Sequence, residues 1–187
     1  MRSIFATVCA ALVLSILGAP APASAQSAEI AQAILAAPGN NGAEATVIHL
    51  NDDGSSTVIR EGSNGFMCWD SSDHAYNNWD SQCTSIENRP RVEQNHEFYM
   101  AGGSEEEIEA RFQEAEENGT REVSKYGSFY FHAVGTSPDN LRMHSNIVVP
   151  FATGETLGGI PTSRQPAALW LMQAGTSSAH LMLPGGL

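Results

Sequence analysis

The sequence predicts a single α+β domain that combines a mainly antiparallel sheet of short strands with one central, acidic, amphipathic helix and one disulfide. Runs rich in β-branched and aromatic residues lie both before and after one long helical segment, which is the order typical of an α+β fold. Outside the apolar N-terminal run the chain has two cysteines, Cys68 and Cys83. In an oxidising compartment two cysteines most simply form one disulfide, so we expect this bond.

The N-terminal segment has the pattern of a secretory signal peptide. Arg2 is followed by an apolar run and then by small residues at 23–25, which predicts cleavage before Gln26. The apolar run is shorter than the roughly 20 residues that a membrane-spanning helix needs. We therefore expect a periplasmic or secreted protein without a membrane span. The expected organisation is a signal peptide, a helical or flexible segment and one α+β domain, at residues 1–25, 26–40 and 41–187.

The charge of the chain narrows the choice of partners. The sequence has 21 Asp and Glu residues against 9 Lys and Arg residues, and its formal net charge at pH 7 is −12. Such a surface repels the phosphates of nucleic acids, so we expect no nucleic-acid partner. A small molecule or another protein remains as the partner, and the composition does not choose between them.

The first strands are predicted from β-branched residues and turn residues. Residues 44–50 and 57–60 have the composition of two strands, and residues 51–54, Asn-Asp-Asp-Gly, have that of a tight turn. A third strand carries Cys68 and leads into a polar loop that the disulfide to Cys83 is expected to close. In the chain-entropy model, closing a ring of this size stabilises the fold by about 3 kcal/mol.

The clearest helix in the sequence covers residues 104–118. Ser104 and Glu107 have the spacing of a capping box, and Gly119 stands where a left-handed residue commonly ends a helix. We interpret the acidic side chains on its outer faces as solvated, in preference to a docking surface for a basic partner. The inward stripe is predicted to consist of Ile108, Phe112 and Ala115.

Shorter elements complete the prediction. The composition of residues 27–37 favours a helix that ends at Pro38-Gly39. Loops rich in Gly, Pro, Ser and Thr separate the later strands, as the turns of an antiparallel sheet require. These strands are predicted over residues 128–134, 146–151, 168–173 and 178–183.

Several short motifs follow one another along the chain: REGSNGFMC at 60–68, Cys83, Pro-Asp-Asn at 138–140 before His144, and GTSSAHLMLP at 175–184. In these motifs and their order the chain resembles a family of uncharacterised exported bacterial proteins. The resemblance implies a disulfide between Cys68 and Cys83 and recurrent histidines at His144 and His180, and it implies no activity. The chain departs from the family pattern at Phe66, Met143 and Ser177-Ser178.

Three histidines in or beside predicted strands, His132, His144 and His180, are candidate metal ligands. His180 and Met182 are two residues apart on one strand and so share a face. Imidazole and thioether both suit copper, so the first alternative function is a copper-type or haem protein with His144, His180 and Met182 as ligands. Against it, the chain has no H-x-H or H-x-x-x-H spacing, and methionine on a strand usually packs in the core.

Catalytic motifs are missing from the sequence. It has no G-x-S-x-G, H-E-x-x-H or S-x-x-K motif, so it assigns no catalytic residue. Ser177 or Ser178 with His180 suggests a hydrolase only weakly, because residues of one strand do not face each other as nucleophile and base. The cluster of Glu93, His96 and Glu97 is interpreted as surface charge.

The function most compatible with these observations is a non-enzymatic binding or interaction domain without a cofactor. A metal or haem protein is the first alternative, and a hydrolase is the second.

Overall fold

The computed structural model describes residues 23–72, 79–164 and 168–183. Within these ranges the chain forms three α-helices and eight β-strands. The helices are α1 (Ala23–Ala33), α2 (Arg89–Met100) and α3 (Glu105–Asn118). The strands are β1 (Thr46–Leu50), β2 (Ser56–Arg60), β3 (Phe66–Asp70), β4 (Trp79–Ser85), β5 (Phe129–Gly135), β6 (Leu141–Val148), β7 (Trp170–Met172) and β8 (His180–Met182).

The eight strands form one sheet in the order β2-β1-β3-β4-β5-β6-β8-β7. Only β1 and β3 pair in parallel, and every other neighbouring pair is antiparallel. Three helices with a mainly antiparallel sheet confirm the predicted α+β fold.

Helix α1 packs against one face of this sheet. Ala33 at its end and Ala36 just after it are fully buried, in a cluster that also contains Phe131 and both cysteines. The Ser81 hydroxyl joins β4 to the helix end, since it donates to the Ala33 carbonyl oxygen over 2.6 Å and accepts from the Ala36 amide over 3.1 Å. Part of the segment predicted to be helical or flexible is therefore a packed helix.

The predicted signal peptide falls almost wholly outside the described residues. Residues 1–22 are not described, and residues 23–25 form the start of α1. Each helix in the described ranges is too short or too polar to cross a lipid bilayer.

Helix α2 covers the opposite face of the sheet. Its residue Val92 packs into a buried cluster with Ile48, Met67 and Trp69, which come from β1 and β3. Because successive strand residues point to opposite faces, the neighbours of these residues in sequence face α1 instead. The sheet is therefore the middle layer of three, and each of its faces is buried by a helix.

Helix α3 lies against α2 and has the predicted ends. The Ser104 hydroxyl accepts from the Glu107 amide over 3.3 Å, and the Glu107 carboxylate accepts from the Ser104 amide over 2.7 Å, which confirms the capping box. Gly119 follows with a φ of 74°, the left-handed conformation expected there. The Phe112 ring meets two aromatic rings of α2 edge-on, with centroid distances of 5.3 and 5.7 Å.

The predicted turn between β1 and β2 is confirmed, and it touches α2. Gly54 has a φ of 87°, and a Cβ atom there would lie 3.1 Å from the Glu97 Cα, so both the turn and the helix contact favour glycine. The His96 Nε2 lies 2.6 Å from the Asn51 carbonyl oxygen, which also ties α2 to this turn.

The disulfide between Cys68 and Cys83 is present, and it links directly paired residues of β3 and β4 with Cα atoms 4.1 Å apart. In the described part of the ring that it closes, β3 and β4 continue to pair beyond the disulfide, as far as Asp70 with Ser81. The polar loop predicted after the Cys68 strand is therefore shorter than expected, because β3 continues to Asp70 and β4 begins at Trp79. Residues 73–78, the middle of the predicted loop, lie outside the described residues.

Helix α2 was not predicted, and the reason lies in its composition. It begins with Pro90 in its first turn, a common helix start, but it has no apolar stripe at helical spacing. Two of its three buried residues are polar, Arg91 and His96. A helix that buries charge has no hydrophobic pattern by which a sequence could reveal it.

The strand predicted over 146–151 is displaced in the structure. Strand β6 ends at Val148, and the chain then turns, with the Ala152 amide bonded to the Val149 carbonyl oxygen over 3.0 Å. Strand β6 also begins earlier than predicted, at Leu141, so His144 lies well inside it.

Candidate functional site

A cavity of about 670 Å³ lies between the sheet and the layer formed by α2 and α3. Its floor is the sheet face that α2 covers. Register pairing places side chains of β4, β5, β6 and β8 on this common face, because directly opposite residues of antiparallel strands point the same way. The floor consists of Gln82, Tyr130, His132, Asn146, Val148 and His180.

The two helices supply the facing wall. Arg91, Asn95 and Tyr99 of α2 are spaced four residues apart, so they lie along one side of the helix and line the cavity together. Phe112 and Glu116 of α3 have the same spacing and also line it. The loop before β8 closes one end with two serines.

Those serines, Ser177 and Ser178, connect an arginine to a glutamate. The Arg91 guanidinium donates to the Ser177 hydroxyl over 3.0 Å, and also to the Ser178 hydroxyl and the Glu122 carbonyl oxygen. The Glu116 carboxylate accepts from the Ser177 amide over 3.0 Å and from the Ser178 hydroxyl over 3.1 Å. The two serine hydroxyls therefore bridge Arg91 and Glu116. The ion pairs found among the described residues do not include a direct pair between these two side chains.

This network alters the ionisation of both charged groups. Burial lowers the pKa of Arg91, although the negative charge of Glu116 partly offsets the effect. Burial tends to raise the pKa of Glu116, but the hydrogen bonds from both serines and the charge of Arg91 outweigh it, so that pKa is lowered. Glu116 is therefore ionised at neutral pH and serves as a counter-charge to Arg91.

A second arginine, Arg121, enters the cavity wall from the segment after α3. It is only 8% exposed, and its terminal nitrogens donate to the side-chain oxygens of Gln94 and Asn95. Its guanidinium lies over the Phe112 ring, 4.7 Å from the centroid, and 5.4 Å from that of Phe98. Among the described residues its Nε has no hydrogen-bond partner.

The hydrogen-bond acceptors of Arg121 are thus neutral, and no carboxylate bonds to it directly, although the negative charge of Glu116 is close enough to act on it. The ion pairs within the described ranges are Glu29–His49, Arg89–Glu93 and Glu87–Lys125, and Arg121 is in none of them. Burial, and then the nearby positive charge of Arg91, lower its pKa to about 10, while the charge of Glu116 acts in the opposite direction. Arg121 stays charged at pH 7 and is the least compensated cation of the cavity.

The three candidate histidines lie on this same sheet face. His132 and His144 are directly paired on β5 and β6, with ring centroids 5.5 Å apart. Burial, and then the charges of His144 and His180, lower the pKa of His132 to about 4. Burial also lowers the pKa values of His144 and His180. All three rings are therefore mainly neutral at pH 7.

The predicted metal ligands are separated along the sheet. His180 pairs with Val148, four residues along β6 from His144, and its Nδ1 donates to the Ser178 carbonyl oxygen over 2.8 Å. Met182 pairs with Asn146 and is buried. Within the described residues no three His, Cys, Asp or Glu side chains form a group that could hold a metal. Copper or haem binding by His144, His180 and Met182 stays a prediction.

The hydrolase alternative with His180 as the base gains no serine–histidine pair from these contacts. The hydroxyls of Ser177 and Ser178 are bonded to Arg91 and Glu116, and His180 contacts only the backbone oxygen of Ser178 among the bonds found in the described part of the chain.

The interpretation of His96 as surface charge is wrong. This residue is 4% exposed and is bonded to Asn51 across the helix–turn contact. Glu93 of the same predicted cluster accepts from the Ser56 hydroxyl over 2.6 Å and from the Arg89 Nε over 3.0 Å, so it ties α2 to β2.

One half-buried carboxylate, Asp80, bonds to Gln82 of the cavity floor. Burial raises the pKa of Asp80 to about 6, and repulsion from the charge of Asp70 adds to this rise. The hydrogen bond from Gln82 lowers the pKa and only partly offsets the two. The Gln82 amide donates to its Oδ2 over 3.3 Å, while its Oδ1 has no partner in the described ranges.

The burial of Arg91 and Arg121 was not predicted, since arginines are expected on the surface. The available signal was local: Pro90 marks a helix start, and a helix there places Arg91, Asn95 and Tyr99 on one side. No local signal indicates that Arg121 is buried, because its neighbours come from α2 and α3.

Comparison with protein-family models, with curated proteins and with solved structures finds no match to this chain. The resemblance to an exported bacterial family remains a prediction from its motifs.

Proposed function

We propose that the protein is an extracytoplasmic binding domain that holds a small organic molecule in the cavity between the sheet and helices α2 and α3. The observation that carries this proposal is the cavity itself. Its volume of about 670 Å³ lies inside the range of roughly 300 to 1,000 Å³ that is usual for small-molecule sites. It is also built from secondary structure on both sides, which holds its polar groups in fixed positions.

The composition of the lining supports a ligand with both polar and apolar parts. Tyr99, Phe112 and Tyr130 provide aromatic surface, while Asn95 and Asn146 provide amide groups that can donate and accept hydrogen bonds. A few polar groups in a largely preformed pocket are the usual means by which a protein orients a small molecule.

Binding without chemical conversion is favoured by the bonding of the reactive groups. Activation of a serine requires a base within hydrogen-bonding reach, itself held by a third group. The carboxylate that bonds both serine hydroxyls is Glu116, which is a weak base because its pKa is lowered. Ser177 and Ser178 also accept from Arg91, so they bridge the two charged groups, which is a structural use of their hydroxyls. The neutral histidines of the floor add hydrogen-bonding capacity to a binding site.

Export is the second part of the proposal. A disulfide between Cys68 and Cys83 persists most readily in an oxidising compartment, and both cysteines are fully buried in the core. The N-terminal sequence pattern points the same way. Detection of the mature chain, starting at Gln26, in the periplasmic or culture-medium fraction would test this part.

Ligand binding is tested by native mass spectrometry of protein recovered from its own host under non-denaturing conditions, followed by thermal-shift measurements with the molecule found. A substitution that fills the cavity, Gln113→Trp, provides the specific test, because Gln113 lines the cavity and is exposed on α3. The matched control is Glu114→Trp, the next residue, which is exposed outside the cavity lining.

The ligand is expected to raise the melting temperature of the wild-type protein and of Glu114→Trp, but not that of Gln113→Trp. An equal rise in all three proteins would place the ligand elsewhere and remove the proposal.

The copper or haem alternative with His144, His180 and Met182 has its own test. Elemental analysis and visible absorption of unchelated protein, compared with a His144→Gln variant, would support it by metal or haem that the variant loses. Absence of both from protein prepared with added copper and haemin would remove it.

A further inference from the structure

We propose that the ligand of the cavity carries a carboxylate group and that Arg121 is the residue that binds it. This inference rests on the proposed binding function and specifies the chemical class of its ligand. It starts from a cation that is more than nine-tenths buried, lines the cavity and has neutral hydrogen-bond partners.

A buried charge without a counter-charge destabilises a fold, so buried arginines are normally paired with carboxylates. Within the described residues neither Arg91 nor Arg121 forms a direct ion pair. The two differ in what compensates them, since Arg91 shares Ser177 and Ser178 with the ionised Glu116. Arg121 bonds only to amide oxygens and is acted on by Glu116 without bonding to it, so an anion in the cavity would supply the direct counter-charge that it lacks.

The donors of Arg121 leave room for such an anion. A guanidinium has more N–H groups than the two that Arg121 gives to Gln94 and Asn95. Its Nε is unpartnered in the described part of the chain but is shielded from solvent, so the groups left for a ligand are the second N–H of each terminal nitrogen. A planar carboxylate matches the fork of a guanidinium and forms two parallel hydrogen bonds with it. The Asn95 amide also lines the cavity, so it lies beside the same position.

The rest of the lining limits the charge and the body of the ligand. Glu109, Glu116 and Glu117 also line the cavity, and their negative charges would repel a polyanion such as a di- or triphosphate. The Phe112 ring lies under the Arg121 guanidinium and meets the Tyr99 ring edge-on, so the two rings offer an apolar surface next to the charge. The class that fits is a small monocarboxylic acid with an aromatic or aliphatic body.

The first test compares acids with amides of the same shape. Binding to the full mature chain is measured calorimetrically for four pairs: benzoate and benzamide, phenylacetate and phenylacetamide, indole-3-acetate and indole-3-acetamide, and hexanoate and hexanamide. At least one acid is expected to bind about tenfold or more tightly than its amide. Citrate and inorganic phosphate, which carry more charge, are expected to bind more weakly than that acid.

Substitution of the arginine is the second test. Arg121→Gln is expected to remove the preference for the acid, whereas the control Arg164→Gln, with the same charge change at an exposed position, is expected to keep it. Because Arg121 also packs on two aromatic rings, its loss could unfold the protein.

A variant that keeps the arginine avoids this difficulty. Asn95→Asp places a carboxylate where Arg121 already has a hydrogen-bond partner, so it supplies an internal counter-charge. It is expected to raise the melting temperature of the ligand-free protein and to weaken binding of the acid by about tenfold or more. An unchanged preference for the acid in Asn95→Asp would overturn the assignment.

The outcomes separate the two proposals. Equal binding of acids and amides, or binding of amides alone, would overturn the carboxylate inference and leave the binding function intact. No binding by any compound of the panel would overturn the inference, while the molecule found by native mass spectrometry decides the proposed function independently.

Discussion

The rings of His132 and His144 meet edge-on, with centroids 5.5 Å apart, because the two residues are directly paired across β5 and β6. Burial is the largest cause that lowers the pKa of His132 from 6.5 to about 4, and the charges of His144 and His180 add to it. The folded protein therefore takes up this proton only near pH 4, whereas the unfolded chain takes it up near pH 6.5.

Acid should therefore destabilise the protein in a defined range. The unfolded state binds more protons between pH 6.5 and about 4, so the free energy of unfolding is expected to fall as the pH drops through that range. His132 alone contributes at most about 3 kcal/mol to this loss. In urea denaturation, His132→Gln should lose less stability between pH 7 and pH 4 than the wild type. His49→Gln, at an exposed histidine, is the control, and an identical loss in all three proteins would contradict the assignment.

The contribution of Asp80 to stability should change with pH in the opposite direction to that of His132. Burial raises its pKa from 3.8 to about 6, so its contribution to stability is present at low pH and is lost as the pH rises from about 4 to about 6. Asp80→Asn removes the buried charge and is expected to raise the free energy of unfolding at pH 7 by about 1 to 3 kcal/mol, with little effect near pH 4. Urea denaturation at both pH values measures this, with the exposed Asp139→Asn as control. A less stable Asp80→Asn protein at pH 7 would refute the prediction.

The disulfide should be both stabilising and protected. Cys68 and Cys83 are fully buried, so neither sulfur should react with an alkylating agent or a mild reductant in the native protein. The double variant Cys68→Ala, Cys83→Ala is expected to lose about 2 to 4 kcal/mol of unfolding free energy in urea. Mass spectrometry after native alkylation supplies the complementary measurement, and two labelled cysteines in untreated protein would show that the bond is absent.

The end of α3 should depend on the backbone conformation of Gly119. Its φ of 74° is unfavourable for a residue with a Cβ atom, although no atom lies within 4 Å of the position that a Cβ would take. Gly119→Ala is therefore expected to cost about 1 kcal/mol through backbone strain alone. Gly119→Asn should cost less, since asparagine adopts this conformation more readily. Thermal unfolding of the two variants compares them, and an alanine variant as stable as the asparagine variant would contradict this account.

How far the sequence predicts the fold depends on whether an element is specified locally. The capping box of Ser104 and Glu107, the turn at Gly54 and the β-branched residues of β1 each act within a few positions, and all three were predicted. Helix α2 was missed because it buries Arg91 and His96 in place of an apolar stripe. Strand β4 was missed because its polar residues resemble those of a loop.

The candidate site also combines features that the sequence specifies locally with features that only tertiary contacts set. The sequence singled out His144, His180 and Met182 from residue type and spacing along one strand. Their separation is set by the register of β6 with β8, which pairs His180 with Val148. Register depends on packing and turn geometry over the whole sheet, so spacing within one strand does not contain it.

The sequence by itself determined the pair of cysteines, the acidic central helix with its two ends and the α+β class, because each follows from local backbone preference or from composition. Only the tertiary structure decided that Arg91 and Arg121 are buried at one cavity. The reason is physical: the cost of burying a charge depends on partners from α2, α3 and the loop before β8, which lie far apart in the chain and meet only in the fold.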